Sequence, residues 1–260
     1  QYREFLAKKY GAKNQLFSGI HFNLSYSEKL METLYRKINP PLSYDEFKDE
    51  AYLKTMRQML RLRWLFILLY GNSPVVDSSM ELKCKRPPFT IDKNVIALSI
   101  RNSCYGYQNI DELYPDYSTV NKFKFSIDQM MKEEKLTAPR EFYSPVRPKF
   151  LKDPNHISYI ELRFIDIDPL TKVGVTEEAL SFLHALALYG LLSGEPDSFD
   201  AKAQSIANDY HGYVSLYGLN ATPYQCYKNG EHINIWWNAE AHINAISELF
   251  KGLEVDREEY

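Results

Sequence analysis

The sequence has few of the features that assign a protein to a class at once. Its 260 residues include only three cysteines, Cys84, Cys104 and Cys226, whose odd number and wide spacing suit neither a disulfide framework nor a zinc site. The longest apolar runs, residues 64–70 and 185–192, are too short to span a bilayer, and no secretory signal is present. These absences predict a cytoplasmic protein that does not enter a membrane.

Charge and glycine patterns exclude further classes. The net charge of -3, with both signs mixed along the chain, gives no reason to expect nucleic acid or an anionic membrane as a partner. Neither G-x-x-x-x-G-K-[ST] nor G-x-G-x-x-G occurs, so a bound phosphate would be held by metal and arginine rather than by a glycine loop.

The composition that is present indicates one folded unit. With 45% hydrophobic and 14% aromatic residues the chain can bury a large core. We expect a single domain over residues 1–260, with a helical C-terminal part over 198–260. The sequence starts at Gln1 inside the last turns of an amphipathic helix, which predicts a domain that is incomplete at its N-terminus.

Three predicted strands share one construction, with apolar residues on one face and polar groups on the other. The first strand lies in Ser158–Pro169, where the apolar residues Ile160, Leu162 and Phe164 alternate with Tyr159, Glu161 and Arg163. The second lies in Ser18–Ser25, where Ile20, Phe22 and Leu24 alternate with His21 and Asn23. The third is Val95–Asn102, where Ile96, Leu98 and Ile100 alternate with Ala97, Ser99 and Arg101. Asp166 and Asp168 follow the first of these strands and are interpreted as turn-forming residues.

Helices are predicted between the strands, over residues 27–38, 43–70, 118–136 and 176–192. The second opens with a capping box from Ser43 to Glu46. Its arginines Arg57, Arg61 and Arg63 are interpreted as a solvated flank without a function. Because the strands lack regular βαβ spacing, we expect an α+β fold with a mostly antiparallel sheet and helices on one face.

Each strand taken alone has an ordinary explanation. An ion pair on a half-solvated strand contributes little, and a single histidine in a strand is more often structural than a metal ligand. Taken together, the three polar faces bring a carboxylate, an imidazole, an amide and arginines to one surface. Carboxylate, imidazole and amide oxygen suit Mg²⁺ or Mn²⁺, and arginines suit phosphate and carboxylate groups.

Five motifs then indicate a family. They are Y-G-x-x-x-Q-x-x-S-G-I-H-F-N (Tyr10–Asn23), L-Y-G-N-S-P (Leu69–Pro74), S-I-R-N-S-x-x-G-Y (Ser99–Tyr107), E-F-Y-S-P-V-R (Glu141–Arg147) and Y-I-E-L-R-F-I-D-I-D-P (Tyr159–Pro169). In this order they resemble glutamate–cysteine ligase of the bacterial type and the ligase module of bifunctional glutathione synthetases. The resemblance covers residues 1 to about 192.

The resemblance implies a fold and a reaction. The fold is a saddle-like antiparallel sheet related to that of glutamine synthetase. ATP phosphorylates the γ-carboxylate of glutamate, with Mg²⁺ present, and the amine of cysteine attacks the resulting γ-glutamyl phosphate in the first step of glutathione synthesis. Two alternatives remain: a related ligase that joins glutamate to another amine, and a non-catalytic fragment or paralogue that keeps the fold.

The resemblance also implies roles for individual residues. Glu161 and His21 match metal positions, and Arg163 with Asn23 matches the nucleotide side, Arg163 meeting the transferred phosphate. Arg101 matches the arginine that meets glutamate. The positions that match the cysteine pocket are Tyr2, Arg3, Leu6, Gln15, Tyr107 and Tyr143.

The sequence departs from the family pattern in small and large ways. Phe22, Cys104 and Asp168 replace residues more usual at those places. More seriously, the glutamate-rich first strand of the family has no counterpart, so residues 1–260 alone are predicted to bind Mg²⁺ weakly and to lack measurable ligase activity. The unpaired sheet edge predicts self-association, or coverage by an N-terminal segment that precedes Gln1.

Overall fold

Helices packed on a small antiparallel sheet make up the chain in the computed structural model, which describes residues 2–80, 82, 84, 96–195, 198–220, 227–228, 231–232 and 234–252. The helices are α1 (Tyr2–Tyr10), α2 (Glu28–Ile38), α3 (Tyr44–Tyr70), α4 (Val120–Lys132), α5 (Glu177–Leu192), α6 (Ala201–Tyr217) and α7 (Ile235–Gly252). The strands are β1 (Ile20–Leu24), β2 (Val146–Lys149), β3 (Tyr159–Ile165) and a short hairpin of β4 (Tyr227–Lys228) and β5 (Glu231–His232), with 3₁₀ turns at Lys13–Leu16, Pro139–Glu141 and Gly218–Asn220.

Strand β3 lies at the centre of the main sheet, antiparallel to β1 on one side and to β2 on the other. Its alternation is as predicted, since Ile160, Leu162 and Phe164 are fully buried while Glu161 and Arg163 lie on the opposite face. The register places Glu161 opposite both Asn23 and Arg147. The α+β class with an antiparallel sheet is therefore confirmed.

Helix α3 is the buried spine of the helical layer. Ser43 and Glu46 form the predicted capping box at its start, with mutual side-chain and backbone bonds. Along its length it packs against β2, β3, α5 and α6, and the ring of Phe66 meets that of Phe164 edge-on at 5.5 Å. The apolar face of the sheet is thus covered by helices, which leaves the polar face to form a site.

The described residues of the C-terminal part form two helices, α6 and α7, with the β4–β5 hairpin between them. Helix α6 packs on α3, and α7 packs on α5. The main hydrophobic core extends from Leu24 in β1 to Ile246 in α7. In the described part of the chain, no helix is both long enough and apolar enough to cross a bilayer.

The arginines of α3 are not a solvated flank, and that prediction is wrong for Arg57 and Arg63. Arg57 is 8% exposed and Arg63 is 3% exposed. Arg57 donates to the Glu195 carboxylate at 2.8 Å and to the Tyr117 carbonyl at 2.8 Å. The correction has a physical cause, because a buried guanidinium is tolerated where it is paired and hydrogen-bonded.

The third predicted strand does not form. Val95 lies outside the described residues, and residues 96–102 run as an irregular segment with one isolated bridge from Ser99 to Ser73. The expected faces are wrong in part: Ile100 is buried as predicted, but Ile96 is 83% exposed, and Ala97 and Ser99 are buried. The backbone bonds of this segment go to Ser73 and Ser215 instead of a strand partner.

Two of the cysteines form a disulfide, although their number and spacing did not suit a disulfide framework. Cys84 and Cys104 are bonded, with their Cα atoms 5.1 Å apart, across a sequence separation of 20 residues. Cys226 lies outside the described residues. The disulfide connects the loop after α3 to the turn that follows Arg101.

Candidate active site

Glu161 is at the centre of the polar face of the sheet. Its Oε1 lies 3.4 Å from His21 Nδ1, and its Oε2 lies 3.1 Å from Lys149 Nζ and 3.6 Å from Arg163 Nε. Burial acts to raise the pKa of Glu161, but Lys149, Arg163 and His21 together lower it below its ordinary value. The carboxylate is therefore ionised at neutral pH.

His21 is a neutral imidazole held between two charged groups. Arg163 Nε donates to His21 Nε2 at 3.3 Å, which places the ring hydrogen on Nδ1, toward Glu161. Burial and the charge of Arg163 lower the pKa of His21 below its ordinary value. The bulge where β1 meets β3 brings this histidine beside Arg163.

Strand β2 adds two cations that sequence reasoning assigned no role. Arg147 lies opposite Glu161, and Lys149 lies two residues further on the same face. Burial, and then the charge of Arg163, lowers the pKa of Arg147. The alternation in Val146-Arg-Pro-Lys149 was the signal that could have found them. On the polar face of the sheet, the cations Arg147, Lys149 and Arg163 surround the Glu161 carboxylate, so this face favours the binding of anions.

Arg101 reaches the same region from the irregular segment. Its guanidinium donates to the carbonyls of Arg163 and Ile165 and to Asp166 Oδ1, the last two at 3.3 Å. Its side chain is 14% exposed, and burial lowers its pKa. A Cβ at Gly19 would lie 2.2 Å from Arg101 Cζ, so glycine is what allows β1 to approach this close.

Asp166 organises the Arg101 segment, which corrects its interpretation as a turn residue. Its side chain is fully buried. Oδ1 accepts from Asn102 Nδ2 at 2.9 Å as well as from Arg101, and Oδ2 accepts from the Asn72 backbone N–H at 3.0 Å. One carboxylate thereby joins the end of β3 to two loops, including the one that carries Arg101.

Three tyrosines form a cluster next to Arg101. Tyr107 donates to the Tyr143 hydroxyl at 2.8 Å, and their ring centroids are 4.6 Å apart. The Tyr10 ring meets both of them edge-on, at 5.5 and 5.6 Å. Asn109 supports the cluster, since it donates to the Tyr10 hydroxyl and accepts from the Tyr143 backbone N–H.

The remaining residues predicted for an acceptor pocket lie elsewhere. Tyr2 stacks under the Arg140 guanidinium at 3.8 Å, Arg3 is exposed, and Leu6 is buried inside α1. Gln15 is half-buried in the turn after α1. Helix α1 nevertheless joins the cluster through Tyr10, which donates to the buried Glu141 carboxylate at 2.6 Å.

These groups surround one cavity of about 370 Å³. Of the residues predicted from the sequence, it is lined by His21, Arg101, Tyr107, Tyr143 and Arg163; Glu161, Asn23, Tyr2, Arg3, Leu6 and Gln15 are not part of its wall. The volume lies within the range of small-molecule sites, which is about 300–1,000 Å³.

The polar face offers a metal an incomplete set of ligands. Within the described residues there is no group of three or more His, Cys, Asp or Glu placed to hold an ion. Glu161 Oε2 is buried and is paired with Lys149 and Arg163, so a metal ion at this oxygen would have to displace these cations. Mg²⁺ prefers near-octahedral oxygen coordination, and Glu161, His21 and Asn23 alone do not supply it.

Comparisons with known proteins agree on a family. A family model described as glutamate-cysteine ligase matches residues 1–137 and 110–212. The bifunctional glutathione biosynthesis protein GshAB of Desulfotalea psychrophila is 37% identical over 234 residues, which cover 88% of this chain and 30% of that protein. The chain spans about a third of the length of the bifunctional relatives that it matches.

Solved structures share the fold. The bifunctional glutathione synthetase of Pasteurella multocida superposes with a TM-score of 0.79 at 26% identity, covering 99% of this chain and 32% of that one. The glutamate–cysteine ligase of Francisella tularensis in complex with AMP gives a TM-score of 0.74 at 20% identity, covering 95% of this chain and 55% of that one.

Proposed function

Because the chain belongs to the glutamate–cysteine ligase family, we propose that its protein joins the γ-carboxylate of L-glutamate to the amine of L-cysteine in an ATP-dependent reaction. The reaction passes through γ-glutamyl phosphate and is the first step of glutathione synthesis. The observation that carries the proposal is the cationic polar face that opens beside a cavity lined by Arg101, Arg163 and the tyrosines. The sheet is proposed to be the equivalent of the one in glutamine synthetase.

The cationic face is proposed to meet the phosphates of ATP. Arg163 lies at the rim of the cavity with Glu161 and His21 around it, so a phosphoryl group arriving there would meet a guanidinium whose position is already fixed. Asn23, exposed on the same face, is proposed to contribute on the nucleotide side. The AMP bound to the Francisella ligase, which shares this fold, supports an adenine nucleotide.

Mg²⁺, or Mn²⁺ in its place, would supply charge neutralisation for the transferred phosphate. Glu161 and His21 are the residues proposed to face it, one as a carboxylate and the other as a neutral imidazole. These two alone do not make a complete site among the described residues, so further oxygen ligands would come from other residues, from the phosphates or from water. Residues 1–260 taken alone are also proposed to lack ligase activity, because the sequence has no counterpart of the family's glutamate-rich strand.

Arg101 and the tyrosine cluster are proposed to bind the amino acids. Arg101 is buried at the cavity wall and presents its guanidinium beside Arg163, where a carboxylate of glutamate would be accepted. Tyr107 and Tyr143 are proposed to bind the cysteine, whereas the other positions that match the family's cysteine pocket, Tyr2, Arg3, Leu6 and Gln15, do not line the cavity. Burial raises the pKa of Tyr107, so its hydroxyl stays protonated and donates to Tyr143, which leaves the Tyr143 hydroxyl hydrogen for a ligand.

The main alternative function is a ligase that joins glutamate to an amine other than cysteine. The α1 residues expected at the cysteine pocket do not line the cavity, and this observation favours an acceptor site whose selectivity differs from that of the family. ATP-dependent phosphate release, measured on the protein at its complete natural length with L-glutamate and a panel of amines, separates the two. We expect L-cysteine to give the highest kcat/KM. Preference for another amine would replace cysteine in the proposal, and no turnover with any amine would contradict it.

The substitution Glu161→Gln tests whether the polar face of the sheet is the site of phosphoryl transfer. We expect it to abolish ATP turnover and leave the fold intact, because the residue lies on the face away from the core. Glu177→Gln, at an exposed residue in the first turn of α5, is the control. Activity of Glu161→Gln within a few-fold of the native protein would show that the polar face is not the site of phosphoryl transfer.

A further inference from the structure

Asn109 connects the two segments that carry the tyrosines of the cavity wall. Its Oδ1 accepts from the backbone N–H of Tyr143 at 2.8 Å, and its Nδ2 donates to the backbone carbonyl of Glu141 at 2.8 Å. One side-chain amide thus holds the backbone on both sides of Phe142, which is buried. Because Asn109 follows Tyr107 by two residues, these bonds fix the segment of Tyr107 against the segment of Tyr143.

The same amide is bonded to helix α1. Asn109 Nδ2 also donates to the Tyr10 hydroxyl, at 3.2 Å. That hydroxyl donates its own hydrogen to the buried Glu141 carboxylate at 2.6 Å, so its oxygen is free to accept. A chain of hydrogen bonds therefore runs from a buried carboxylate through Tyr10 and Asn109 to the backbone of Tyr143.

Asn109 lines the cavity, yet the protein uses both hydrogens of its amide. One is donated to the Glu141 carbonyl and the other to the Tyr10 hydroxyl. The Tyr143 hydroxyl differs, because it accepts from Tyr107 at 2.8 Å and keeps its own hydrogen. A ligand beside this wall would therefore receive a hydrogen bond from the tyrosine pair and none from Asn109.

The opposite side of the cavity is held by other groups. Arg101 is bonded to Asp166, and Arg163 is bonded to His21 and paired with Glu161. These bonds do not involve Asn109. A change at Asn109 should consequently act on the tyrosine pair and leave the two arginines in place.

We infer that Asn109 is a positioning residue for the acceptor amine: it sets the relative placement of Tyr107 and Tyr143, and through them the affinity for the acceptor. The inference rests on the proposed function and adds to it a residue that determines acceptor binding. It also gives helix α1 an indirect part in the acceptor site, through the Tyr10 hydroxyl.

Asn109→Asp tests the inference with a side chain of nearly the same shape. An oxygen replaces the NH₂ group and faces the oxygens of the Glu141 carbonyl and the Tyr10 hydroxyl, so the bonds that hold the two segments are lost. Steady-state kinetics are measured on the protein at its complete natural length, with the acceptor that gives the highest kcat/KM. We expect KM for that acceptor to rise roughly 10-fold, as for one misplaced hydrogen bond, and kcat and KM for L-glutamate and ATP to change less than about twofold.

Asn155→Asp is the matched control, because it makes the same chemical change at an exposed turn between β2 and β3, and it should alter no KM. Asn109→Ala is the second variant, used also if the aspartate variant does not fold, and it should give the same selective rise. A purely structural role would reduce the folded fraction, which lowers kcat and leaves every KM as it was. That result, or an equal rise in KM for all three substrates, would overturn the inference and leave the proposed function standing.

A double-mutant cycle with Tyr143→Phe tests whether Asn109 acts through the tyrosines. If it does, Asn109→Ala should raise KM for the acceptor by less than about twofold once the Tyr143 hydroxyl is gone. Fully multiplicative effects would overturn the positioning role, since Asn109 would then act independently of Tyr143. A native protein that turns over no amine with L-glutamate and ATP would overturn the proposed function together with this inference.

Discussion

Replacing Asp166 by asparagine tests the buried network that holds Arg101 in place. The carboxylate accepts three hydrogen bonds, from Arg101, Asn102 and the backbone of Asn72, and its side chain has no exposed surface. Asparagine has nearly the same shape but only one oxygen. The substitution therefore changes hydrogen bonding and charge without opening a cavity.

The size of the effect follows from the donors that surround the carboxylate. Asparagine can keep its oxygen toward Arg101 and Asn102 only by turning its NH₂ toward the N–H of Asn72, which places two donors face to face. A hydrogen bond to a charged group contributes about 1.5–3 kcal/mol and an unsatisfied buried donor costs about 1–3 kcal/mol, so we expect a loss of roughly 2–4 kcal/mol in the free energy of unfolding. For a domain of this size, that lowers the melting temperature by roughly 4–16 °C.

Thermal and urea unfolding of the two proteins measure this difference. Asp168→Asn is the matched control, because Asp168 accepts from the Leu170 N–H in a turn at 2.9 Å and asparagine can replace it there. We expect the control to change the free energy of unfolding by less than about 0.5 kcal/mol. An Asp166→Asn protein as stable as the control would refute the assignment of Asp166 as the organiser of the Arg101 segment.

Three further changes test other parts of the structure. Leu162→Ala should cost about 2–5 kcal/mol of stability, because the residue is fully buried beneath α3, and an unmoved melting temperature would mean that the two sheet faces are inverted. Arg101→Lys should weaken L-glutamate binding far more than ATP binding, since lysine keeps the charge and loses the two-pronged geometry; calorimetry that shows equal losses would reassign Arg101 to the phosphates. Burial acts to raise the pKa of Glu141, but hydrogen bonds from Lys9, Thr137 and Tyr10 lower it to about 2. The folded-state pKa is below the unfolded value, so this stabilisation is present above about pH 4.5 and is lost as the pH falls toward 2. When the free energy of unfolding is measured with urea at a series of pH values, Glu141→Gln should reduce its dependence on pH in this range. An unchanged pH dependence would contradict the hydrogen-bond network around Glu141.

Local patterns were sufficient for the regular elements and for the family. The alternation in Tyr159–Ile165 assigned its buried and polar faces correctly, because a strand places consecutive side chains on opposite sides whatever it packs against. The capping box of Ser43 and Glu46 marked the start of α3 for a similar reason, since both partners lie within one helical turn. The five motifs, read in order, indicated the family that the comparisons support.

Tertiary structure decided what depends on partners distant in sequence. Residues 96–102 alternate as a strand does, yet their backbone bonds go to Ser73 and to Ser215, and no local pattern specifies such partners. Arg57 is buried because Glu195, 138 residues later, neutralises it. Asp166 is an example within the site, because its partners Arg101, Asn102 and Asn72 are all distant from it in sequence. The sequence specifies that a residue carries a carboxylate or an imidazole. The burial, charge state and binding partners of that group depend on other groups that only the folded chain brings within a few ångströms.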